Sequence, residues 1–88
     1  MKIKLHPRFE KSYRNRILPN KKLIEQTRKR IALFSENPMH PLVKNHALTG
    51  AKQGLRSFSV TGDIRIVYQP LRNDEVIFFD IGSHNQVY

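Results

Sequence analysis

Polar and apolar residues alternate from Lys2 to Leu5, and then the spacing changes, with Phe9, Tyr13 and Ile17 recurring at every fourth position. The first pattern predicts a short strand and the second one face of a helix. Pro7 stands in that helix's first turn, where a missing N–H costs nothing. Pro19 interrupts the chain. Asn20 is placed to cap a second helix over residues 21–36, whose inward stripe is Leu23, Ile24, Thr27, Ile31 and Phe34, and Asn37-Pro38 ends it. Residues 38–52 show no period and carry Pro, Asn, Thr and Gly, which predicts a loop near the upper length for a connection in a small domain. Strand-like runs follow at 56–60, 64–69 and 75–81, separated by Thr61-Gly62 and by Arg72-Asn73-Asp74. In the middle run Ile64, Ile66 and Tyr68 share one face, and Arg65, Val67 and Gln69 the other. The order β-α-α-β-β-β predicts an α+β fold, a helical hairpin packed on one side of a mainly antiparallel sheet, because every apolar face needs another element to cover it.

Eighty-eight residues make a single small domain, residues 1–88, with room for one core. There is no cysteine, so neither a disulfide framework nor a thiolate metal site is available, which suits a reducing compartment. No apolar run approaches the ~20 residues of a membrane span. The chain is expected to be soluble and cytoplasmic, without a membrane partner.

Charge changes the picture more than size does. The net charge is +9, and the first thirty residues hold eleven Lys or Arg against only Glu10 and Glu25, a surplus of nine. The remaining residues are balanced, five basic against five acidic. Such asymmetry predicts a polyanionic partner, nucleic acid first, because each phosphate contact releases counterions.

Candidate chemistry lies in the second half. His46 sits in the polar loop, His84 follows a Gly-Ser after the last strand, Asp63 belongs to a Thr-Gly-Asp turn, and Arg56 and Arg65 lie within strands. Two histidines, a carboxylate and arginines brought together by strands suit RNA cleavage by internal transesterification. A base takes the ribose 2′-OH proton, an acid protonates the leaving oxygen, and cations hold the phosphorane charge. Arg56, Arg65 and Lys52 are the cations expected at the phosphate. No HxxxH-type pairing of ligands occurs, so no metal or other cofactor is expected. His6 and His40 are read as helix-start and loop residues.

His46-Ala-Leu-Thr-Gly50, Gly54-Leu-Arg-Ser-Phe-Ser59, Gly62-Asp-Ile-Arg-Ile-Val-Tyr68 and Gly82-Ser-His84 follow one another at spacings that resemble the RelE/ParE toxin superfamily, in its YafQ-like branch. The resemblance covers essentially the whole chain. It implies the RelE-like fold, a type II toxin-antitoxin toxin, and ribosome-dependent cleavage of mRNA. It further implies proton transfer by His46, Asp63 and His84, and a nucleotide seated by Tyr88. The basic helices, with Lys11, Arg14, Lys21, Lys22, Arg28 and Lys29, would then hold ribosomal RNA. A cognate antitoxin with acidic and apolar segments, partly disordered when free, is the implied protein partner. A histidine of the YafQ-like pattern is matched here by Ser59, and an aromatic after the turn aspartate by Ile64. Two other readings fit the same sequence, a ParE-like inhibitor of DNA gyrase without catalytic residues and a non-catalytic RNA-binding module.

Overall fold

His6 and Asn20 set where the two long helices begin. The computed structural model describes residues 1–88. The His6 ring accepts a hydrogen bond from the Arg8 N–H at 3.0 Å, with Pro7 opening helix α1 (Pro7–Arg16). Asn20 Oδ1 accepts from the Leu23 N–H at 3.1 Å to start α2 (Lys21–Glu36). Both side chains supply acceptors for N–H groups that the helix itself leaves free.

Strands β1 (Lys2–Leu5), β2 (His46–Ala47), β3 (Arg56–Ser59), β4 (Ile64–Pro70) and β5 (Glu75–Ser83) form one sheet in the order β1-β5-β4-β3-β2. Only β1 and β5 are parallel; every other pair is antiparallel. The result is the expected α+β fold, a helical pair on a mostly antiparallel sheet. The core lies between them. Phe34 of α2 stacks on Phe58 of β3 with ring centroids 4.2 Å apart, and Tyr68, Phe78 and Phe9 complete the aromatic cluster around Ile17, Ile66 and Ile81.

Three elements depart from the sequence expectation. The segment read as featureless loop contributes β2 and a 3-10 turn at Gly50–Lys52, so the sheet has five strands. A two-residue strand has no period to detect; His46 and Ala47 are held by pairing with Ser57 and Arg56. The chain closes with a short helix α3 (His84–Val87), which carries Val87 into a buried position. Finally, β4 does not alternate cleanly. Ile66, Val67 and Tyr68 are all buried, since α3 covers part of the face opposite α2, and a bulge offsets Val67, paired with Asp80, from Tyr68, paired with Phe78.

Asp80 is an acid inside an otherwise apolar strand, 2% exposed. Pairing of β1 with β5 ends at Leu5 and Phe78, which leaves the edge of β5 beyond it bare. Helix α1 covers that edge with charge. Arg8 Nε lies 3.2 Å and Arg16 Nη1 3.5 Å from the Asp80 carboxylate, and Arg16 also donates to the Ile81 carbonyl at 3.0 Å. Three ionic groups therefore replace the missing strand. Asp80→Ala should cost about 2 to 3 kcal/mol, less than a fully buried pair because both arginines can rehydrate. Thermal unfolding should register a fall in Tm of roughly 10 to 20 °C for a domain of this size.

Candidate active site

The face of the sheet turned away from α1 and α2 is the place to build a site, because pairing gathers the polar residues there. His46, Ser57, Val67 and Asp80 form one row across β2, β3, β4 and β5; Ser59, Arg65 and Gly82 form the next. Phe58 and Ile66, one position off, point the opposite way into the core. Helix α3 packs on this open face, as the hydrogen bond from the Tyr88 hydroxyl to Ser57 Oγ shows.

His46 is exposed, with Nδ1 3.1 Å from the Lys44 carbonyl. A carbonyl can only accept, so Nδ1 is the donor in this contact and Nε2 takes no part in it. His84 opens α3, also exposed, with its ring edge-on to Tyr88 at 4.6 Å. Roughly 14 Å, three inter-strand spacings, separate the backbones of β2 and β5, and α3 with Tyr88 reaches from β5 across β4 to β3. Arg65 is half-buried, and a single terminal nitrogen, Nη1, donates to the Ser59 hydroxyl and to the Thr61 carbonyl. Its Nε and second terminal nitrogen stay available to an anion.

Tyr88 forms one wall of a cleft of about 310 Å³ whose other walls are Leu48, Thr49, Ala51 and Lys52. The turn that brings Lys52 here needs Gly54 at φ 94°, a conformation side chains resist. Asp63 is exposed in the β3–β4 turn, its N–H and that of Ile64 both bonded to Thr61 Oγ1 at 3.2 and 3.0 Å. Ile64 pairs with Ser83, so Asp63 and His84, the next residues outward, leave neighbouring strands at the same end of the sheet.

Arg56 does not join this group. It pairs with Ala47 and Tyr68 on the helix side of the sheet, and its Nε donates to Asn45 Oδ1 at 2.9 Å. Asn45 in turn donates to the Pro38 carbonyl at 3.1 Å and to the Tyr68 hydroxyl at 2.7 Å. Strand alternation thus sets Arg56, expected at the phosphate, on the opposite face from His46 and Arg65, where it braces the 38–45 loop. The residue passed over by sequence reading is Ser57, a small hydroxyl inside the Gly54–Ser59 motif with no chemistry of its own to single it out.

The basic helices lie across the sheet from this face. Lys11, Arg14, Lys21, Lys22, Arg28 and Lys29 are all exposed. Arg28 is tied to Glu25 through two bonds of 3.2 and 2.5 Å, and that hydrogen-bonded contact with its attendant charge holds the Glu25 carboxyl below its ordinary pKa. Arg30 turns inward instead, donating to the Leu42 and Ser59 carbonyls at 2.6 and 2.9 Å. His40 and His6 serve local turns, each accepting a backbone N–H two residues on. The largest cavity, about 490 Å³, is a mainly apolar groove between α1, α2 and β1 lined by Leu5, Phe9, Tyr13, Leu18 and Ile31, with Glu10, Arg14 and Arg28 also on its wall. No group of three or more His, Cys, Asp or Glu side chains converges anywhere, and no helix is long and apolar enough to cross a membrane.

A helical pair on an open sheet, with histidines and an arginine on the uncovered face, defines a RelE-like toxin fold, and similarity to solved structures agrees. A copper-bound mutant toxin from Helicobacter pylori is 26% identical over 100% of this chain and 99% of its own, with a TM-score of 0.80. YafQ from Escherichia coli is 20% identical, covering 98% of this chain and 96% of its own, at TM-score 0.78. A YoeB/ParE toxin from Agrobacterium tumefaciens is 20% identical over 96% and 99%, at 0.79. Among curated proteins none matches by sequence. The family described as the bacterial toxin of type II toxin-antitoxin system, YafQ, matches residues 1–88, and the chain belongs to that family.

Gly82 is the tightest point beneath α3. A Cβ there would stand 2.7 Å from Arg16 Nη1 and 2.7 Å from Gln86 Oε1, atoms engaged with Ile81 and with the Ser83 N–H. Gly82→Ala should dislodge both, and amide exchange of residues 84–88 should quicken at least tenfold while the β3–β4 amides keep their protection.

Proposed function

We propose that the chain is a ribosome-dependent mRNA endonuclease that cleaves by attack of a ribose 2′-oxygen on the adjacent phosphorus, without a metal ion. What supports this reading is the gathering of His46, Arg65, Lys52, His84 and Tyr88 on the one open face of the sheet. His46 acts as base through Nε2, the nitrogen that its contact with the Lys44 carbonyl leaves free, and takes the 2′-OH proton. The oxygen bonds to phosphorus, the bond to the 5′ oxygen breaks, and His84 supplies the proton that leaving oxygen needs. A 2′,3′-cyclic phosphate and a 5′-OH result. Arg65 and Lys52 hold the phosphorane charge, Asp63 steadies the His84 proton, and Tyr88 seats the nucleotide.

Binding strength has a separate source. Lys11, Arg14, Lys21, Lys22, Arg28 and Lys29 grip ribosomal RNA by counterion release, independently of sequence, while the open face meets the codon. The antitoxin is a partner with acidic and apolar segments. Its apolar residues fit the groove between α1, α2 and β1, where Leu5 and Leu18 are 48% and 51% exposed, and its acids meet Arg14 and Arg28 on the rim. YafQ from Escherichia coli has been solved with its antitoxin DinJ, at TM-score 0.79 to this chain and 19% identity.

Induction in a bacterial host, with growth followed and mRNA ends mapped by primer extension, tests the proposal. The wild-type chain should arrest growth and create cleavage sites inside translated codons. His84→Ala and His46→Ala should each lower cleavage by about 10² to 10⁴, and Arg65→Ala by about 10² to 10³. Growth arrest with intact mRNA would sink the nuclease reading and point to gyrase inhibition; RNA binding with neither effect would point to a non-catalytic module. With purified protein, charge reversal at Lys21, Lys22 and Lys29 should weaken ribosome binding and flatten its salt dependence by roughly one unit of slope per cation removed.

A further inference from the structure

Helix α3 has four residues, too few to hold together on its own, so the position of His84 depends on what ties that turn to the sheet. Three ties exist. Gln86 Oε1 accepts from the Ser83 N–H at 2.8 Å, Val87 is buried, and the Tyr88 hydroxyl donates to Ser57 Oγ. The first two act along the turn or beneath it. Only the third crosses to β3, and it reaches the residue that pairs with His46.

Ser57 is fully buried, at 0% exposure, and Tyr88 is the partner of its hydroxyl. A serine hydroxyl at that depth needs a partner, and here the partner is the last side chain of the turn. The same bond fixes the Tyr88 ring edge-on against His84 and as the wall of the Lys52 cleft. We propose that Ser57 is a positioning residue of this site. Acting through the Tyr88 hydroxyl, it holds His84 and the nucleotide-facing ring in register with His46. The proposal rests on the nuclease reading above. Catalysis demands such a device, because a base and an acid on strands this far apart must keep a fixed separation around one phosphate, and a misplacement of about 1 Å costs on the order of 100-fold.

Tyr88→Phe and Ser57→Ala test the bond from its two ends. Tyr88→Phe removes one hydroxyl at the end of the chain's last turn and keeps the ring, so it remains informative if Ser57→Ala fails to fold. Backbone and His84 ring dynamics by NMR are read on the free protein, and single-turnover and steady-state cleavage on programmed ribosomes. Each variant should show disorder confined to residues 84–88, kcat lowered roughly 10- to 100-fold with KM little changed, and the double variant should be no worse than the poorer single one. An ordered His84 with wild-type kcat in Tyr88→Phe overturns the proposal, as does an additive double variant. A wild-type protein that cleaves nothing overturns the nuclease reading, while the NMR comparison still decides whether the tether holds the turn.

Discussion

A five-stranded sheet has two faces, and 26 residues in two long helices can cover only one of them. That shortage governs the rest. The covered face must be apolar, and it receives Phe58, Ile66, Tyr68 and Phe78 under the rings of Phe9 and Phe34. The other face receives polar residues, His46 exposed and Arg65 half-buried, with Ser57, Ser59 and Val67 buried in its middle. A polar surface on a rigid sheet is then present for packing reasons before any chemistry is asked of it. Side chains on such a sheet keep their spacing, which suits groups that have to act together on one bond.

The same division separates the basic surface from the candidate site. Cations on the outer side of the helices and titratable groups on the opposite side of the sheet cannot crowd one another. Not every basic residue serves the outer surface. Arg8 and Arg16 neutralise Asp80, and Arg30 satisfies two carbonyls of the chain, so the first third spends part of its surplus on holding the fold.

Periodic features were legible in advance. The bounds of α2 follow from Asn20 and from Asn37-Pro38, and the helical pair on an antiparallel sheet follows from the changing period along the chain. Features created by distant pairing were not. The strand at His46–Ala47 exists because β3 has a free edge, and α3 exists because Val87 and Tyr88 find places on the sheet. At the site, the residue types and their stretch of chain could be read, but not their faces. Arg56 and Arg65 look alike in sequence, and only the register sends one to the loop brace and the other to the open face. Ser57 could not be singled out, since its importance lies in depth and in one partner 31 residues away.

The parallel pairing of β1 with β5 joins the first strand of the chain to the last. During synthesis, Lys2–Leu5 has no partner until residues about seventy positions later have been made, an interval of roughly 4 to 14 s at bacterial elongation rates of about 5 to 20 residues per second. Throughout that time the basic hairpin has no finished sheet beneath it, and the open face, which needs β5 and α3, does not exist. The face that carries the candidate site is consequently the last part of the molecule to be completed.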